Sequence, residues 1–115
     1  MIKDNIVQKV WGYEEIICNS KKFNYCGKKL HLKKGYKCSY HKHEIKHETF
    51  YIENGIVIMI YDHVSSILNK GDSIVINQNK YHSFQGVEDS VIIEFSNYDD
   101  PEDSYRLTES CKVED

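Results

Sequence analysis

Proline is almost missing from this chain: Pro101 is the only one in 115 residues, and no stretch rich in glycine, serine and proline marks a linker between domains. The length fits one domain, taken as residues 1–115 with a core of about 10–98. No apolar run approaches the ~20 residues of a membrane-spanning helix. The opening MIKDNIVQKVWG lacks the apolar block of a secretory signal. Cys18, Cys26, Cys38 and Cys111 form no Cys-x-x-Cys pair, so reduced thiols in a cytoplasmic protein are expected. An excess of one charge is lacking too. The net charge of −3 gives no field that would draw nucleic acid, and nothing calls for a membrane partner. The lysine pairs Lys21–Lys22, Lys28–Lys29 and Lys33–Lys34 read as solvated strand ends and turns. Neither an internal repeat nor a useful length of amphipathic helix is present.

What is there is β-structure. Short β-favouring runs at Ile16–Cys18, Phe23–Cys26, Lys28–Lys33, Tyr36–His43, Thr49–Ile52, Ile56–Tyr61, Val64–Leu68, Ser73–Ile76, Tyr81–Gln85 and Val91–Ser96 alternate with turn residues. That rhythm predicts an all-β sandwich or barrel. Asn54-Gly55 between two apolar runs predicts a tight hairpin. Met1–Val10 is expected to fray or add an edge strand, and the acidic tail from Asp99 to pack as a short helix or loop.

The histidines carry the chemistry. His41 and His43 are two apart, so on a strand both rings project from one face. Glu48 lies five beyond His43, a spacing that a straight strand would send to the other face. A bend through Glu44–His47 lets Glu48 begin a second strand and look back at the same point. A fourth donor, His82, follows a short apolar strand and the polar turn Asn77–Lys80. Three imidazoles and a carboxylate converging without a cation would strand a buried charge, so one divalent metal ion (Zn, Mn, Fe, Ni or Co) is expected. His47 and His63 read as solvent-facing. His31 alternates with leucines and shares a face with Lys29.

Two motifs resemble the cupin superfamily. Gly35, His41, His43, Glu48 and Gly55 stand at the spacings of its first motif, and Gly71 and His82 at those of its second. Asn77 and Asn79 replace the usual proline and glycine of the second motif, and asparagine tolerates a left-handed backbone. The resemblance implies a small single-domain jelly-roll barrel with a short C-terminal tail, in which His41, His43, Glu48 and His82 bind the metal.

A narrower resemblance spans most of the chain. Trp11-Gly12-Tyr13-Glu14-Glu15, the Lys29–Leu32 stretch, Ile93-Glu94-Phe95 and Glu102-Asp103-Ser104-Tyr105-Arg106 look like the type II mannose-6-phosphate isomerase domain. It implies aldose–ketose isomerisation of a sugar or sugar phosphate through a metal-stabilised enediolate. Arg106 or Lys29 would grip the phosphate, and Glu94 or His31 would serve as the base. The bland readings are an exposed strand residue for Glu94 and a surface ion pair for Arg106. Rival functions are an Fe(II)-dependent oxygenase and a non-catalytic sugar-binding module. Apolar residues on both faces of Ile56–Ile60 suggest a homodimer.

Overall fold

In the computed structural model, which describes residues 5–114, every regular element is a β-strand. In chain order they are β1 (Ile6–Lys9), β2 (Gly12–Ser20), β3 (Tyr25–Leu32), β4 (Tyr36–Lys37), β5 (His41–Lys42), β6 (Glu48–Asn54), β7 (Ile56–Tyr61), β8 (Val64–Asn69), β9 (Ser73–Ile76), β10 (His82–Gly86), β11 (Ser90–Ser96), β12 (Tyr105–Arg106) and β13 (Cys111–Lys112).

Six of them form one antiparallel sheet in the order β1-β2-β3-β11-β6-β9. The second sheet is built around β10. On one side lie β7 and then β8; on the other β4 and β5 run along β10 end to end, followed by β13 and β12. Alternation decides what each strand buries. Leu30 and Leu32 of β3, Phe50 and Ile52 of β6, Ile76 of β9 and Ile92 of β11 point inward from the first sheet. They meet Val57 and Met59 of β7 and Phe84 of β10 from the second. Two sheets packed face to face around one apolar core make the all-β jelly roll that the sequence implied.

Several local expectations change. Phe23–Cys26 and Lys28–Lys33 are not separate strands: β3 runs through Gly27, opposite an irregularity in β2 between Ile16 and Cys18. Tyr36–His43 is broken into β4 and β5. Asn54-Gly55 is not a hairpin, because β6 pairs with β11 and β9 while β7 pairs with β10 and β8. The chain crosses there from one sheet to the other. The true two-residue turn is Asp62-His63, with φ of 50° and 67° between the paired strands β7 and β8. Among the described residues the tail forms no helix; β12 and β13 extend the second sheet. Of the stretch Met1–Val10, Ile6–Lys9 form an edge strand, and residues 1–4 lie outside the described residues. All four cysteines are free, and no helix among the described residues is long and apolar enough to cross a membrane.

Candidate metal centre

The second sheet sets two imidazoles side by side, because His41 of β5 and His82 of β10 are directly opposed in the ladder. His43 lies just beyond β5. The chain then bends through residues 44–47, and Glu48 opens β6 in the facing sheet. His82 opens β10 after a turn in which Asn79 holds φ at 64°, the left-handed conformation that glycine would otherwise supply. Donor nitrogens of His41, His43 and His82 lie within 4.8 Å of one another. Glu48 Oε2 is 3.4 Å from His43 Nε2 and 3.2 Å from His82 Nε2.

Each ring is turned by a backbone carbonyl. His41 Nδ1 lies 2.8 Å from the oxygen of Ser39, His43 Nδ1 2.6 Å from that of Asp103, and His82 Nδ1 3.0 Å from that of Lys80. A carbonyl only accepts, so Nδ1 carries the proton and the Nε2 lone pair faces the cluster. Glu48 Oε2 and His82 Nε2 are both buried and have no hydrogen-bond partner. They lie within ion-pair distance, but no N–H is aligned between them. Two acceptors facing each other in a dry site repel, and a divalent cation between them removes the conflict. The surroundings lower His41, His43 and Glu48. Burial, with His82 and His43 adding to it, pushes His41 down to about 3. Burial and the Lys46 ammonium lower His43. Burial alone would raise Glu48, but the Lys46 ammonium beside it outweighs burial and holds the carboxyl at about 2. Neutral imidazoles and an ionised carboxylate are the states in which these groups bind metal, so the donor set fits a divalent ion. Cys38 is nearby, but burial pushes its thiol up to about 12, so it offers no thiolate.

His41, His43 and Glu48 line a cavity of about 540 Å³. Beside them, around Glu94, lie charges that the sequence reading missed. Lys46 Nζ reaches Glu48 Oε1 at 3.4 Å, Glu94 Oε2 at 3.2 Å and Asp99 Oδ1 at 3.0 Å. Lys28 Nζ reaches Glu14 at 3.1 Å and Asp99 at 2.6 Å. Lys46 and Lys28 are only 5 % and 4 % exposed, so the solvated reading of Lys28 is corrected. Burial would raise Asp99, but the two ammonium groups outweigh it and hold the carboxyl well below the ordinary range. Glu94 goes the other way: burial lifts it to about 7 against the pull of Lys46, with Glu48 reinforcing the rise.

Glu94 is therefore a buried residue of the cavity floor and not an exposed strand residue. Arg106 is at the cavity mouth on β12, opposed to His41, and its guanidinium donates to Glu109 at 3.1 Å. Lys29 and His31 are corrections. Leu30 and Leu32 take the inward face of β3, so these two project from the outer face. There His31 stacks on Tyr13 and meets Glu15 at 3.1 Å, and Lys29 pairs with Glu53. Neither lines the metal-facing cavity. His47 and His63 are exposed, bonded to Asn77 and Tyr40 respectively.

Residues 29–95, over half of the chain, match the cupin-domain family. The chain is a cupin. No curated protein has a sequence that matches it. Solved structures share the fold at low identity. KdgF from Halomonas sp. has a TM-score of 0.72 at 16 % identity, over 89 % of this chain and 86 % of that one. The capsular polysaccharide assembling protein CapF from Staphylococcus aureus has a TM-score of 0.79 at 19 % identity, over 90 % of this cupin but only 32 % of CapF. Pac13, a nucleoside dehydratase from Streptomyces, has a TM-score of 0.78 at 8 % identity, over 95 % and 86 %. This cupin thus spans nearly all of two such chains and about a third of CapF.

Proposed function

We propose that this cupin is a metal-dependent isomerase that moves a proton between neighbouring carbons of a sugar or sugar phosphate. His41, His43, Glu48 and His82 would hold the ion. Bound there, a divalent ion supplies Lewis-acid polarisation of substrate oxygens. The observation that carries the reading is Glu94, a buried carboxyl on the floor of the same cavity, lifted to about 7. A proton-transfer group works best when its pKa lies near the operating pH, because it then both takes up and gives back the proton readily. Lys46 Nζ and Ser96 Oγ both donate to Glu94 Oε2, which fixes the carboxyl. Arg106, which lines the same cavity, would meet an anionic end of the substrate, and its partner Glu109 is exposed enough to be displaced. Support from the fold relatives is general: a capsular-polysaccharide protein and a nucleoside dehydratase both work on sugar-bearing molecules.

The test is NMR in deuterated water on the metal-loaded protein with paired aldoses and ketoses, free and phosphorylated. Deuterium entering at C1 or C2, with aldose and ketose interconverting, is expected. A panel with neither exchange nor interconversion contradicts the isomerase reading, and oxygen uptake by the iron-loaded protein would replace it with an oxygenase. Glu94→Gln should lower the exchange rate by about 10²–10⁴-fold, the usual contribution of a positioned base.

We also infer a homodimer. Ile17, Phe95 and Val75 lie exposed on the outer face of the first sheet, where Phe95 stands opposite Gly27 and Thr49, and Thr49 opposite Val75. A second copy laid on this face would cover a row of apolar groups with a like row. Sedimentation should give a dimer that Phe95→Lys dissociates; a monomeric wild type contradicts it.

A further inference from the structure

We propose that Asp103, in the C-terminal tail, is a positioning residue of the metal centre: it holds the loop between the two donor-bearing strands and the ring of His43. This inference rests on the metal reading and extends it to a residue outside the two cupin motifs.

Asp103 is 6 % exposed, although Pro101 and Glu102 before it and Tyr105 after it are exposed. Its carboxylate accepts from three successive backbone N–H groups of the bend: Glu44 at 2.8 Å, Ile45 at 3.1 Å and Lys46 at 2.9 Å. Its own carbonyl oxygen accepts from His43 Nδ1 at 2.6 Å. One residue thus satisfies three amides that a tight bend leaves without ladder partners, and also fixes the orientation of a donor ring.

The consequence runs through the bend in both directions. At its start the carbonyl of residue 103 turns the Nε2 of His43 toward the cluster. At its end the carboxylate pins the backbone of Lys46, whose ammonium touches Glu48 and Glu94. Such outer partners raise the basicity of a metal-binding imidazole and restrict its rotation, and losing one weakens metal binding by about 10–100-fold. Neighbouring tail groups hold the strand before the bend. Ser110 accepts from the Ser39 amide and Thr108 from the Tyr40 amide, and β12 pairs with β5. The tail is therefore part of the scaffold of the centre.

The experiment compares wild type, Asp103→Asn and Val57→Ala. Val57 is fully buried away from the site and serves as a control for lost stability alone. Zinc affinity by chelator competition and the visible spectrum of the cobalt-loaded protein are the readouts, with the ring tautomer of metal-free His43 followed by nitrogen NMR. For Asp103→Asn we expect a zinc Kd raised by about 10–100-fold, an altered cobalt spectrum, and a His43 that no longer keeps its proton on Nδ1 alone. Val57→Ala should melt lower yet bind zinc like wild type. Wild-type affinity and spectrum in Asp103→Asn, beside a wild type that binds, overturn the inference. A wild type that binds neither ion sinks the metal reading itself; the His43 tautomer then still decides whether Asp103 positions that ring.

Discussion

The ammonium of Lys46 sits against three carboxylates from three parts of the chain: Glu48, Glu94 and Asp99. Removing it takes the ammonium from buried Glu48 and Glu94, while Asp99 keeps Lys28, so Lys46→Met should cost about 3–5 kcal/mol in a urea melt. A loss below about 1 kcal/mol, the worth of an exposed pair, would show that this network is solvated. The four donors were legible as motif residues, because their spacing is tied to strand alternation and a bend. The lysines of the charged floor were not read, and Glu94 was singled out as a base only beside an exposed reading, although the signal for burial was present. Lys28 shares parity with Leu30 and Leu32, and Glu94 with Ile92, so both belong to the buried faces. Charge argued for solvent, and parity won because each charge finds an opposite one inside. The same parity sends His31 and Lys29 outward. Asp103 was hidden differently. It stands beside Arg106 in the Glu-Asp-x-x-Arg motif, and its role is to accept backbone N–H bonds, which no side-chain pattern announces.

Strands were largely legible because β-favouring runs and alternation are local properties. Which strand pairs with which was not, and Asn54-Gly55 shows why. The dipeptide signals a sharp turn, and Gly55 does adopt φ of 94°. Yet the residues after it continue into the other sheet, a choice made by where Val57 and Met59 find their core. The crossing is tight: a Cβ on Gly55 would run into Ser90 Oγ and lie 2.7 Å from the Asp89 carbonyl. At Gly71, with φ of 93°, nothing lies within 4 Å of such a Cβ. Gly71→Ala should therefore cost only its backbone strain, about 1 kcal/mol, and Gly55→Ala about 3 kcal/mol or more. Equal losses in matched melts would mean that the crossing is looser than drawn. The tail was the least legible element. Two-residue strands carry too little pattern to read, and β12 and β13 exist because the second sheet offers β5 and β4 as edges.

For the whole molecule, the carboxyls and imidazoles of the cavity set how stability responds to pH. Asp99 is held below its ordinary 3.8, so its contribution is complete above that value and is lost as the pH falls. Glu94 is lifted from 4.5 to about 7. Across that interval the unfolded side chain gives up a proton that the folded one keeps, so the contribution of Glu94 declines as the pH rises through it. His41 and His43 work the other way, because both are lowered from 6.5 and the unfolded chain binds protons below that value which the folded rings do not. The metal-free protein should therefore be most stable near pH 6–7, and Glu94→Gln should make its loss of stability on acidification from neutrality steeper. A variant that loses stability on acidification as wild type does would show that Glu94 titrates normally.

The account as a whole depends on the four donors sharing one ion. Anomalous diffraction from crystals grown with zinc or manganese tests this most directly. The expected map has one strong peak per chain, bounded by the Nε2 atoms of His41, His43 and His82 and by Glu48 Oε2. A map with no peak there, or with its peak held by other residues, would contradict the account.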